Sequence, residues 1–131
     1  IFDTAHYVYG TGRDDVEGAI ALEGVTRFTE RITSVHVKDC SRSVAQAARA
    51  EGWSYDEAIA KGLFCELGEG SIDFVAVLRA LLDAGYDDWL TVEQDVFPGM
   101  GTPFASAVRN RERLVGWLRE AQGVTRAGAK R

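Results

Sequence analysis

Ile32-Thr33-Ser34-Val35-His36-Val37-Lys38-Asp39 is the stretch on which the fold turns. Up to Val37 it alternates: Ile32, Ser34 and His36 fall on one face, and Thr33, Val35 and Val37 on the other. Period-two alternation rich in β-branched residues predicts a strand, ending at Lys38-Asp39. Downstream, Ser71–Ala84 gathers Phe74, Val77, Leu78, Leu81 and Leu82 on one helical face and stops at Gly85. A strand follows over Trp89–Gln94, apolar at Trp89, Leu90 and Val92. Pro98, Gly99 and Gly101 break the chain, and a helix over Phe104–Ala121 turns Val108, Leu114, Val115 and Leu118 inward. Upstream, Ile1–Thr4 reads as the end of a strand, followed by a loop with Gly10 and Gly12. A helix opens at Asp14, with Glu17 at capping-box spacing, and runs to about Arg31 with Val16, Ile20 and Phe28 on its apolar face. Residues 40–70 form a long connection with two short helices, Ser43–Glu51 and Ser54–Lys61. Ser54 and Glu57 stand at capping-box spacing, and the length of the connection predicts a functional lid.

Strands alternating with helices indicate three βα units and an α/β protein built on a parallel sheet. One unit over residues 1–122 is expected, with a frayed tail over 123–131. The composition fits: 131 residues, 46% hydrophobic and 27% charged, carry enough apolar material for a packed core, which excludes disorder for most of the chain. No apolar run approaches the roughly 20 residues of a membrane-spanning helix. Fifteen Lys plus Arg against twenty Asp plus Glu give a net charge of −5, against the basic face of a nucleic-acid binder. Cys40 and Cys65 form no C-x-x-C pair and read as free thiols in a reducing cytosol. The chain opens at Ile1 and its one methionine is Met100, so a segment is expected upstream.

In a parallel sheet, functional side chains collect at the carboxyl ends of the strands. Asp3 and His6 close the first strand here, His36, Lys38 and Asp39 the second, and Glu93 and Asp95 the third. An ionisable group in each buried strand is costly without a partner, and a shared divalent cation would be one. Carboxylate, imidazole and carboxylate at Asp3, His36 and Glu93 form a mixed oxygen and nitrogen set that suits Mn²⁺ or Co²⁺, with Zn²⁺ and Mg²⁺ as alternatives. Each residue also has a plainer reading: Asp3 as a turn cap, His36 as a satisfied core histidine, Glu93 as the partner of a basic side chain. Lys38 is a candidate donor to a substrate oxygen, with a structural salt bridge as its alternative. Asp39 stands beside it in the substrate-binding set; Asp39 and Asp95 also read as groups behind the ligands or as loop caps. Tyr7, Tyr9, Trp53 and Phe64 are candidates for a sugar-facing wall, with lid packing as the alternative for the last two.

Asp3-Thr4-Ala5-His6, then Val35-His36-Val37-Lys38-Asp39, then Gly85-Tyr86-Asp87-Asp88-Trp89-Leu90-Thr91-Val92-Glu93-Gln94-Asp95, resemble the xylose-isomerase-like TIM-barrel superfamily of sugar isomerases and epimerases. Within it, these motifs, Ala48–Ser54 and the Gly62–Phe74 segment are similar to the inosose dehydratase family of myo-inositol breakdown. The resemblance covers about residues 1–120, and Asp88 departs from it where the family more often has glycine. It implies the last three βα units of a (β/α)₈ barrel, an incomplete barrel, since a closed one takes at least about 200 residues. It implies that Asp3, His36 and Glu93 are metal ligands and His6 a substrate-contacting histidine. A fourth ligand, a glutamate, is implied upstream of Ile1.

The implied chemistry is dehydration of an inosose, a small-molecule keto-polyol. A carboxylate, Glu93 or the upstream glutamate, takes the α-proton, and an acid, His6, protonates the departing β-hydroxyl. Aldose–ketose isomerisation or ketose 3-epimerisation uses the same parts without elimination. An endonuclease branch would need more histidines than the two present and a basic groove. From a different class comes a non-catalytic half barrel that self-associates into a homo-oligomer, because three parallel strands leave two open edges.

Overall fold

The computed structural model describes residues 1–98 and 101–123. Its elements are β1 (Phe2–Asp3), α1 (Thr4–Gly10), α2 (Ile20–Phe28), β2 (Val35–Val37), β3 (Asp39–Cys40), α3 (Arg42–Glu51), α4 (Tyr55–Ala60), β4 (Phe64–Cys65), α5 (Phe74–Asp83), β5 (Leu90–Val92) and α6 (Pro103–Ala121), with one 3₁₀ turn at Thr29–Arg31. β1, β2 and β5 form a parallel sheet in the order β1-β2-β5, as the βα alternation predicts, and β3 and β4 form a small antiparallel pair. Val35 and Val37 are buried while His36, between them, points to the other face. Helices α2, α5 and α6 lie side by side, with α5 in contact with both others. Phe74 of α5 stacks on Trp117 of α6, ring centres 4.9 Å apart. The sheet does not close, and among the described residues the outer edges of β1 and β5 have no partner strand. Trp89 (82% exposed) and Phe104 (80% exposed) lie uncovered. No helix among the described residues is long and apolar enough to cross a membrane.

The first helix is a departure from expectation. Thr4–Gly10 is helical, not a loop, because the Asp3 side chain accepts from the His6 N–H and caps α1. The second helix begins at Ile20, not Asp14. Gly18 sits at φ +69°, and a Cβ there would overlap the Ser71 carbonyl, so the segment before Ile20 is held as a loop against the start of α5. Ala19 stands at the N-cap of α2, Asp15 accepts from the Ile20 N–H at 3.1 Å, and Asp14 pairs with Arg42. Val16 is accordingly 65% exposed and not part of a core face. Val108 is also exposed. The frayed tail expected over 123–131 lies, beyond Gly123, outside the described residues.

The 40–70 connection is anchored along its second half, which a swinging lid would not be. Leu63, Phe64 and Leu67 are fully buried. The Leu67 N–H donates to Asn110 Oδ1 of α6 at 3.0 Å, and Arg113 donates to the Leu67 carbonyl. Buried Glu66 accepts from Arg109 Nε at 2.8 Å and from its Nη2. The Arg109 guanidinium holds the Glu66 carboxyl below its ordinary value of 4.5. A carboxyl lowered in the folded state adds stability that is complete above its unfolded value and is lost as pH falls through the folded one. Arg109→Ala should therefore destabilise the protein near neutral pH, and the deficit should shrink at about pH 3. Urea unfolding at both pH values checks this; an equal deficit at both would contradict it.

Candidate metal centre

The parallel register builds the site. Asp3 lies opposite His36 and His36 opposite Thr91, so the three share one row across the sheet. Glu93 follows Thr91 by two residues and returns to the same face. Its N–H donates to the Val37 carbonyl at 3.2 Å, continuing the pairing just past β5. One ligand atom from each of Asp3, His36 and Glu93 lies within 4.8 Å of the other two. His36 Nδ1 is 2.7 Å from Glu93 Oε2 and 3.9 Å from Asp3 Oδ2. Two carboxylates converging on one imidazole nitrogen are a donor set that a divalent cation fits.

Charged neighbours complete the arrangement. Lys38 is buried, with Nζ 2.9 Å from Glu93 Oε1, 3.1 Å from Asp95 Oδ2 and 4.3 Å above the Phe64 ring. Burial works to lower the Lys38 pKa, but the hydrogen bonds to Glu93 and Asp95 outweigh it, and the ammonium is held above its ordinary value. The same hydrogen bond from Lys38, helped by His36, holds Glu93 below the usual carboxylate value. Asp3 works twice: Oδ1 caps α1, while Oδ2 stands 3.0 Å from His6 Nδ1. The other side of that ring, Nε2, meets the Tyr55 hydroxyl at 2.8 Å.

A family model described as a xylose isomerase-like TIM barrel matches residues 1–121. This chain belongs to the xylose isomerase-like TIM barrel family. It is similar to inosose dehydratases: 35% identical over 124 residues to that of Klebsiella pneumoniae, covering 95% of this chain and 39% of the relative. It is also 35% identical to the one of Geobacillus thermodenitrificans (95% and 38%) and 32% identical to the one of Yersinia enterocolitica (95% and 39%). The chain thus spans about two fifths of the length of the curated relatives it matches. No solved structure matches it.

In a xylose isomerase-like TIM barrel the carboxyl ends of the strands carry the working groups, and Asp3, His36 and Glu93 meet at that end. His6 and Lys38 stand beside them. Asp39 takes its loop-cap reading, and its place in the substrate-binding set is corrected. It is 0% exposed, and its carboxylate accepts from the backbone N–H groups of Cys40, Gly68, Gly70 and Ile72. It holds the loop before α5 and has no surface to offer a ligand. Burial raises its carboxyl, against those four donors. Tyr7 packs on Phe2 and Phe28, in the core. Trp53 lies under Lys61 with its indole N–H on Glu51. Tyr9 lies beside Tyr55, while Phe64 is fully buried under Lys38 and His6 and takes the packing reading. Tyr55 itself was not foreseen: it follows the capping-box serine of α4, and its sequence neighbours give no hint of a contact with His6. Both cysteines are free, their thiols pushed up to about 12 by burial.

Proposed function

We propose that the protein carrying this chain is a metal-dependent lyase that dehydrates an inosose. The observation that carries this reading is the convergence of Asp3, His36 and Glu93 in a chain similar to inosose dehydratases. Asp3, His36 and Glu93 would hold the cation, with Mn²⁺ or Co²⁺ preferred over Zn²⁺ or Mg²⁺. When bound, it would supply Lewis-acid charge that makes the α-proton of a ketone easier to remove.

The side chains divide the remaining work. Lys38 and His36 fix both oxygens of Glu93 and lower its proton affinity. That suits Glu93 to holding a cation, and the carboxylate that takes the α-proton is Glu93 or the further glutamate that the family resemblance implies. His6 is the acid at the departing β-hydroxyl. The ring lies beside the three proposed ligands, with Asp3 Oδ2 3.0 Å from Nδ1 and the Tyr55 hydroxyl 2.8 Å from Nε2. Tyr9, partly exposed and beside Tyr55, offers a ring face near these polar groups, which suits a polyol ring with apolar C–H faces.

Dialysis of the full-length protein against chelator should abolish loss of water from the inosose, and added Mn²⁺ or Co²⁺ should restore it. Activity that survives chelation, in protein shown to be metal-free, would overturn the reading. The family match favours one other reaction, aldose–ketose isomerisation or ketose 3-epimerisation. Product analysis separates them: formation of an epimer or isomer with no unsaturated or dehydrated product would select that branch.

A further inference from the structure

We propose that Thr4 is the positioning residue that sets Lys38 in the site, an inference that rests on the dehydration reading above. β1 pairs with β2 through Phe2 with Val35 and Asp3 with His36. There the pairing stops, because Asp3 caps α1 and the chain turns into the helix at Thr4. Lys38 follows the last residue of β2 and lies past the end of that pairing. One side chain meets both of its backbone groups. Thr4 Oγ1 accepts from the Lys38 N–H at 3.0 Å and donates to the Lys38 carbonyl at 2.6 Å, with the His36 carbonyl farther off at 3.3 Å. A hydroxyl can do both at once, since it carries one proton and two lone pairs. Thr4 thus stands in for the strand backbone that the turn into α1 takes away. Thr4 is 0% exposed and Lys38 2% exposed, so water is not at hand to replace either bond.

What Thr4 fixes is the origin of a long side chain. A lysine ammonium is a point charge on a flexible four-carbon stem, and its reach depends on where its backbone is held. From that origin Lys38 Nζ meets Glu93 Oε1 at 2.9 Å and Asp95 Oδ2 at 3.1 Å, and it stands 4.3 Å over the Phe64 ring. These partners come from β4 and from the segment after β5, so the ammonium is placed against groups that Thr4 itself does not touch. If the Lys38 backbone moved, Nζ would leave Glu93 Oε1, and only His36 would hold the other oxygen of that carboxylate. Thr4 therefore acts on Glu93 through Lys38. The residue type matters for a plain reason. Valine would fill the same space and make neither bond, whereas serine would make both.

Thr4→Val and Thr4→Ser in the full-length protein test this with two readouts. In metal-free protein carrying labelled lysine, the ε-methylene proton signal of Lys38, assigned by its loss in Lys38→Met, should lie upfield because it sits over the Phe64 ring. It should move toward the position of a solvent-exposed lysine in Thr4→Val and stay in place in Thr4→Ser. With metal and inosose, Thr4→Val should lower kcat about 10-fold and Thr4→Ser less than about 3-fold. In the Lys38→Met background, Thr4→Val should cost less than about 2-fold more, because the two residues act as one unit. An unmoved Lys38 signal in folded Thr4→Val would overturn the proposal. So would a moved signal with unchanged kcat, or full additivity in the double variant. If Thr4→Val does not fold, Thr4→Ser decides: a Lys38 signal kept upfield supports the proposal, and one moved to the solvent-exposed position overturns it. The signal does not depend on turnover. A wild-type protein that fails to dehydrate an inosose is recorded as failure of the proposed function, and the Lys38 signal then decides on Thr4 alone.

Discussion

Replacing His36 with alanine in the full-length protein should weaken Mn²⁺ binding by more than about 100-fold and abolish turnover. Loss of a group that only supports a metal ligand already costs about 10–100-fold in affinity, and His36 is proposed as a ligand itself. Its Nδ1 lies between the two carboxylates, 2.7 Å from Glu93 and 3.9 Å from Asp3. Without it, Asp3 and Glu93 face each other with one neutral donor fewer, and the softer nitrogen contact that favours Mn²⁺ or Co²⁺ over Mg²⁺ is gone. The fold should tolerate the change, because the His36 side chain is partly exposed and the strand is packed through Val35 and Val37. Calorimetric titration with Mn²⁺, alongside circular dichroism to verify folding, reads both parts. Affinity retained within a few-fold would show that His36 is a satisfied core histidine.

Asp39→Ala should cost about 3–5 kcal/mol of stability, the largest folding effect expected of any residue near the site. Its two oxygens serve four backbone donors: Cys40 at 2.8 Å, Gly68 at 2.8 Å, Gly70 at 3.0 Å and Ile72 at 3.4 Å. A buried donor left unsatisfied costs about 1–3 kcal/mol, and relaxation of the loop recovers part of the total. Gly70→Ala should be damaging for a linked reason. A Cβ at that position would overlap Asp39 Oδ1 and stand 2.5 Å from both Asp39 Cγ and the Cys40 carbonyl oxygen. Urea unfolding midpoints for the two variants test this; losses below about 1 kcal/mol in both would contradict the anchoring role.

These two residues show what a single sequence could and could not reveal. His36 was legible because strand periodicity fixes which side chains share a face, and a lone ionisable residue on a strand of valines is conspicuous. Asp3 and Glu93 were legible for the same reason, each at the end of its own strand. Asp39 had two readings, substrate contact and loop cap, and adjacency to Lys38 is a local signal that could not separate them. The four donors that claim its carboxylate include three from residues 68–72, about thirty positions away. The start of α2 failed similarly: Asp14 and Glu17 have the spacing of a cap, but contact between Gly18 and Ser71 keeps the backbone out of a helix. Tyr55 had no signal at all, since its contacts with His6 and Tyr9 depend on α4 meeting α1. The sequence also read Trp89 as a strand residue, whereas it lies exposed just before β5.

The central claim is that Asp3, His36 and Glu93 share one divalent cation. Crystals of the full-length protein grown with Mn²⁺, measured near the manganese absorption edge, test it directly. The account predicts one strong anomalous peak bonded to a carboxylate oxygen of Asp3, to a His36 ring nitrogen and to a carboxylate oxygen of Glu93. A peak elsewhere, or none with the three side chains still paired to one another and to Lys38, would contradict it.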